Sequence, residues 1–122
     1  MRSAEGQVID VCPVDELLPG TCRIVSAGGR RLGVFNVKGS YYALLDRCPH
    51  GGAPLCRGRI TGLTTAEKPG TELERVREGE ILRCPWHGWE FEIRTGETVT
   101  EPRLRVKTFA ARVEAGRIVV QL

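Results

Sequence analysis

No stretch of the 122-residue chain approaches the run of about 18 apolar residues that a membrane-spanning helix needs. The first ten residues, MRSAEGQVID, hold no apolar segment behind a basic start. A secretory leader is therefore not expected, and the cytoplasm is the default compartment. Charge of one sign is not in excess either: 18 Lys and Arg face 15 Asp and Glu, for a formal net charge of +3. A nucleic-acid binder gathers its basic residues on one face or helix, and this balance points to no such partner. Aromatics are scarce at 6%. No segment sustains an apolar pattern at i, i+3, i+4 and i+7, which argues against long helices. At this length one domain is expected over residues 1–122, with no room for a separate catalytic domain.

What the chain does have is short apolar runs punctuated by 15 Gly and 7 Pro. Strands are expected at Val8–Val11, Thr21–Ser26, Arg31–Val37, Tyr41–Asp46, Ile81–Arg83, Glu90–Arg94 and Arg103–Phe109, with a last one carrying Ile118, Val120 and Leu122. Gly28-Gly29 and Ala115-Gly116 read as hairpin turns, and Asp15–Leu18 as one helical turn. In Arg103–Phe109 the residues Leu104, Val106 and Thr108 alternate with Arg103, Arg105 and Lys107, the period of a half-buried strand. The fold class that follows is all-β, a small sandwich or barrel of antiparallel strands.

Two segments break the strand pattern. CPHGGAPLC (Cys48–Cys56) and CPWHGW (Cys84–Trp89) each place Pro directly after Cys and Gly beside His. Pro lacks the ladder donor and Gly weakens a strand, so both read as shaped loops, at about residues 46–57 and 83–91. Between them Gly58–Glu80 carries five acids against four bases and reads as a solvated insertion.

The five Cys are odd in number, and cytosolic thiols stay reduced, so ligation is read before disulfides. The two histidines of the chain each lie close behind a Cys: Cys48-Pro49-His50 and Cys84-Pro85-Trp86-His87. Two Cys and two His could hold a structural zinc ion, although such sites usually pair Cys with Cys and His with His along the chain. They also suit a Rieske [2Fe–2S] centre, in which one iron takes two Cys and the other two His. Each loop must then carry one Cys and one His, and C-x-H with C-x-x-H does so. Gly51, Gly52 and Gly88 would let backbone amides approach the cluster sulfides.

CPHGGAPL, CPWHGWEF and the following Arg94-Thr95-Gly96 resemble the two cluster-binding loops of the Rieske ferredoxin family. The segments Val11–Leu17 and Gly39–Leu44 resemble its first strands, so the likeness covers most of the chain. It implies a β-sandwich base carrying a small cluster-binding subdomain. It also implies one [2Fe–2S] cluster, with Cys48 and Cys84 on a buried iron and His50 and His87 on an outer one. The 33 residues between His50 and Cys84 exceed the usual spacing of small Rieske ferredoxins, and the excess lies in Gly58–Glu80.

The likeness also separates branches of the family. High-potential Rieske proteins join the two loops by a disulfide, but this chain has Ala53 and Trp86 where the cysteines would stand. They also place hydroxyl donors where this chain has Trp89 and Phe91. A soluble, low-potential carrier is implied. Cys12, Cys22 and Cys56 read as small buried apolar residues. Leu55, Trp86 and Trp89 are expected to shield or rim the loops.

A Rieske oxygenase needs a second iron held by two His and a carboxylate, and both His are already committed. The chain therefore reads as an electron-transfer protein rather than an enzyme. Similar proteins pass electrons from a flavin-dependent reductase to a terminal oxygenase. The alternatives are the small subunit of an assimilatory nitrite reductase, or a subunit whose cluster is structural.

Overall fold

The computed structural model of the chain describes residues 7–49, 51–65, 74–86, 88–101 and 103–122. Among these residues nine strands follow one another: β1 (Val8–Pro13), β2 (Cys22–Ala27), β3 (Arg30–Val37), β4 (Ser40–Leu45), β5 (Arg59–Thr65), β6 (Glu74–Arg83), β7 (Glu90–Glu92), β8 (Thr108–Glu114) and β9 (Arg117–Gln121). Two short 3-10 turns, Val14–Glu16 and Leu55–Arg57, complete the described elements. A six-stranded sheet has the order β1-β9-β8-β4-β3-β2, and a three-stranded sheet the order β5-β6-β7. Every pairing is antiparallel. The all-β architecture read from the sequence is the one observed.

The β3 strand explains why two apolar clusters belong to one fold. Side chains alternate across a strand. Leu32 and Val34 enter a cluster with Cys12, Leu17, Ala43, Ile118 and Val120. Phe35 and Val37, on the opposite face, enter a second cluster with Leu44, Leu82, Phe91, Ile93 and the loop residues Cys48, Ala53, Leu55 and Cys84. The strand is buried on both faces, so its sequence reads as a continuous apolar run. Asn36 is the polar exception: its Nδ2 donates to Leu17 O at 2.8 Å and its Oδ1 accepts from Gly39 N at 2.8 Å, so neither end is left unsatisfied.

Several local expectations are corrected. The charged segment Gly58–Glu80 is not simply a solvated loop. Its described ends form the β5–β6 hairpin, with Thr61 and Gly62 buried and a register shift between Thr61 and Leu63. Residues 66–73 lie outside the described residues. Arg103–Phe109 is not a strand throughout. Val106 is buried and Arg103, Arg105 and Lys107 are exposed as the alternation requires, but before Thr108 the backbone forms just an isolated bridge, Glu97↔Arg105. A strand needs continuous pairing as well as a pattern. β7 stops at Glu92, because Gly96 N turns back to Glu92 O at 2.8 Å. β1 runs on to Pro13 rather than ending at Val11, and the early helical turn sits at Val14–Glu16 rather than Asp15–Leu18. Both hairpin turns form as expected, across Ala27↔Arg30 and Glu114↔Arg117.

Candidate metal centre

The loops after β4 and β6 share one geometry. In the first, Cys48 N donates to Ala53 O at 2.9 Å and Gly52 N donates to Cys48 O at 2.8 Å. In the second, Cys84 N donates to Trp89 O at 2.8 Å and Gly88 N donates to Cys84 O at 3.0 Å. Both loops thus close with the same pair of bonds, five and four residues ahead of a Cys. The closing glycines have φ of +78° (Gly52) and +71° (Gly88), a region where a Cβ is strained. The sequence offers Gly at both positions, and that is what lets each turn double back.

This closure carries Cys48 and Cys84 into the same apolar cluster, where they are 1% and 2% exposed. Neither is in a disulfide. Among the described residues, the two loops thus contribute a pair of enclosed thiols, soft donors suited to iron or zinc once deprotonated. The near-identical loops suit a centre that draws one thiol from each. His50 and His87 lie outside the described residues. The sequence places each inside its loop, two and three residues after the Cys.

Two contacts join the loops. The exposed ring of Trp86 lies against Gly51, since a Cβ built on that glycine would stand 3.7 Å from Trp86 Cε3. Beneath them, Gly58 passes so near Arg83 that a Cβ at residue 58 would overlap the Arg83 carbonyl oxygen. Arg83 immediately precedes Cys84, so the exit of the first loop is braced on the entry of the second. Leu55 is fully buried and Trp89 half-buried against the same cluster, so both shield the site from below, whereas Trp86 rims it from outside.

Asp46 is a site residue that sequence reasoning missed. Its enclosed carboxylate accepts from Cys56 N at 2.8 Å and from Arg31 Nη2 at 3.2 Å. Residues 46 and 56 bracket the first loop, so this contact fixes its two ends. The available signal was an acid two residues before the Cys, which composition alone does not distinguish from any surface acid.

The remaining cysteines behave as small core residues. Cys12 is buried in the cluster under β1 and β9, and Cys56 lies against Gly33 with Cys22 close by. The neighbouring Cys22 thiol, and then burial, push the Cys56 thiol well above the ordinary cysteine range. A thiolate is the reactive form. Cys56 is therefore expected to stay unmodified by iodoacetamide in the native protein at pH 8 and to react on unfolding. Peptide mapping after labelling checks this, and rapid native labelling of Cys56 would contradict it.

The family profile of the Rieske [2Fe-2S] domain matches residues 7–110. The chain is 29% identical over 114 residues to Ferredoxin CarAc of Metapseudomonas resinovorans, covering 92% of this chain and 91% of that protein. It is 28% identical over 110 residues to the biphenyl dioxygenase ferredoxin subunit of Pseudomonas sp. (strain KKS102), covering 89% and 86%. Among solved structures, a chain from the complex of reduced oxygenase and oxidized ferredoxin in carbazole 1,9a-dioxygenase superposes with a TM-score of 0.74 at 28% identity, covering 93% and 92%. With the two matched loops and their enclosed thiols, these findings place the chain in the Rieske [2Fe–2S] domain family.

Proposed function

We propose that the whole chain, residues 1–122, is a single Rieske domain acting as a ferredoxin, an electron carrier between a flavin-dependent reductase and a terminal oxygenase. The observation that carries this reading is the family match over 7–110 joined to two equivalent loops that bury Cys48 and Cys84 in one apolar cluster. Cys48 and Cys84 hold one iron in this reading, and His50 and His87 the other. The relatives named as ferredoxins align along nearly their whole length, which supports the carrier reading. No helix among the described residues is long and apolar enough to cross a membrane. On the ferredoxin likeness, the reading is of a cytoplasmic electron-transfer protein, not itself an enzyme.

When bound, the cluster supplies one-electron redox chemistry at a mild potential. The chain's own residues set the conditions for it. Leu55, Phe91 and Ala53 exclude water beneath the thiols. The closing bonds of Gly52 and Gly88 hold the loops in one shape, which keeps reorganisation small when charge arrives. Pro49, Pro85 and Trp86 leave the outer rim exposed for a partner to approach.

The test is anaerobic reduction of the purified holoprotein by a flavin reductase, followed by mixing with an oxygenase. One-electron reduction with a Rieske-type EPR signal, then reoxidation on mixing, is the expected result. A colourless protein, or a cluster that cycles with neither, overturns the reading. The potential is a separate check. Donors to cluster sulfur stabilise the reduced form, and Trp89 and Phe91 stand where hydroxyl donors raise the potential of the high-potential group. Phe91 is fully buried in the core and brings no polar atom. Against a family span of about −150 to +300 mV, the midpoint is expected below about 0 mV and flat with pH near neutrality. Voltammetry between pH 6 and 9 measures both.

A further inference from the structure

We propose that the tip formed by the two loops is a cationic docking face shaped for a partner protein whose electron port is ringed by Asp and Glu. The proposal rests on the electron-carrier reading above and names the kind of partner that carrier takes.

The charges are placed with the same regularity as the loops. Arg47 and Arg83 each stand one residue before a loop Cys, and both are exposed. Neither guanidinium leaves the tip. A Cβ built on Gly52 would lie 3.6 Å from Arg47 Nε, and one on Gly88 3.1 Å from Arg83 Nε. Arg59, also exposed, is the direct antiparallel partner of Arg83 in the β5–β6 register. Like charges directly opposed destabilise a sheet, so this pair opposes the fold rather than supporting it. Among the described residues none of these three arginines has a salt-bridge partner. Glu90 is opposite Arg83 on its other side and forms no ion pair with it. Beyond Arg47, a cleft of about 290 Å³ runs along the first loop and adds Arg105 and Lys107. Arg105 is held by Glu97 at 2.7 Å, and Lys107 sits 5.3 Å from the centre of the Phe109 ring, but among the described residues no acidic side chain lines the cleft.

At the centre of this rim is Trp86, 58% exposed, with Pro49 and Pro85 exposed beside it. An apolar centre dominated by an aromatic and bordered by charge is the usual anatomy of a protein–protein contact. The repulsion among the bases is relieved when an acidic surface closes over them. Complementary charge acts on encounter rate more than on final affinity, which suits a carrier that must bind briefly and leave.

Voltammetry of the holoprotein tests the proposal, on gold coated with carboxylate-terminated or with ammonium-terminated alkanethiols. A titration with a dissolved mediator runs beside it. At low salt, electron exchange is expected to be about tenfold or more faster on the carboxylate surface, with the difference lost near 0.5 M salt. Arg47→Glu and Arg83→Glu should each remove most of that preference. Arg112→Glu makes the same charge change near the far end of β8 and should leave it. The visible spectrum reports whether each variant keeps its cluster; where a Glu variant loses it, the Gln variant at that position carries the test. The proposal is overturned if the carboxylate surface gives no advantage, or if Arg112→Glu erases the advantage as fully as the tip variants do. Failure of the mediator titration to reduce the protein would instead sink the electron-carrier reading. Clean mediated reduction without a surface preference would remove the docking face alone.

Discussion

Cys48→Ala and Cys84→Ala proteins are expected to be purified colourless, without the visible absorption of the wild type and without bound iron. Each substitution deletes one of two enclosed thiols, and nothing described in the loops stands ready to replace it: Ala53, Leu55 and Phe91 are apolar, Asp46 is committed to Cys56 N and Arg31, and the Cys56 thiol at the end of the first loop is packed against Gly33 beside Cys22. The same result is expected for His50→Ala and His87→Ala, on the proposal that both are ligands. Cys12→Ser and Cys22→Ser should keep the spectrum, because Cys12 is buried under β1 and β9 and Cys22 on the edge strand β2. Iron analysis and visible spectra decide the matter, with far-UV circular dichroism separating loss of ligand from loss of fold. Full iron content in any of the four Ala variants, or its loss in Cys12→Ser, would show that the ligand set is wrong.

Among the glycines whose surroundings are described, Gly58→Ala is expected to be the most damaging addition of a methyl group. The backbone of Gly58, at φ −71° and ψ 179°, is open to any residue, so strain is not the reason. The reason is space, because the new Cβ would overlap the carbonyl oxygen of Arg83. A carbonyl in a paired strand cannot swing aside as a flexible side chain does, so either β5 or β6 must shift. A loss of about 2–4 kcal/mol of stability is expected. The shift would pull on Cys84, the next residue along, so iron occupancy should fall as well. Denaturant titration of the holoprotein and iron analysis measure the two effects. Wild-type stability in Gly58→Ala would mean that the two loops are not braced on each other.

How far the sequence could be read depended on whether a signal was local. The two loops were legible because their chemistry is written in consecutive residues: Cys, Pro, His and Gly in C-x-H and C-x-x-H spacing. The hairpins at Gly28-Gly29 and Ala115-Gly116 were legible for the same reason. The β5–β6 hairpin was not. Its charged composition imitates a solvated loop, while its pairing is made backbone to backbone, which composition does not record. Arg103–Phe109 failed in the opposite direction. The alternation correctly predicts that Val106 is buried, but the neighbouring backbone at Glu97 pairs there through a single bridge, too little to make residues 103–107 a strand. Contacts between distant positions stayed hidden altogether. Asp46 spanning the first loop, and Gly58 against Arg83, can be seen once the chain has folded and in no other way.

The double burial of β3 bears on how the molecule comes apart. A carrier with a cluster-bearing end and a separate base could shed one before the other, releasing iron from a half-melted protein. Here one strand serves as the wall of both apolar clusters, with Leu32 and Val34 on one side and Phe35 and Val37 on the other. Neither cluster can be opened without exposing a face of that strand to water, and exposure on one side weakens the packing on the other. The two ends are therefore expected to unfold in a single cooperative transition, with the metal loops keeping their shape for as long as the base does.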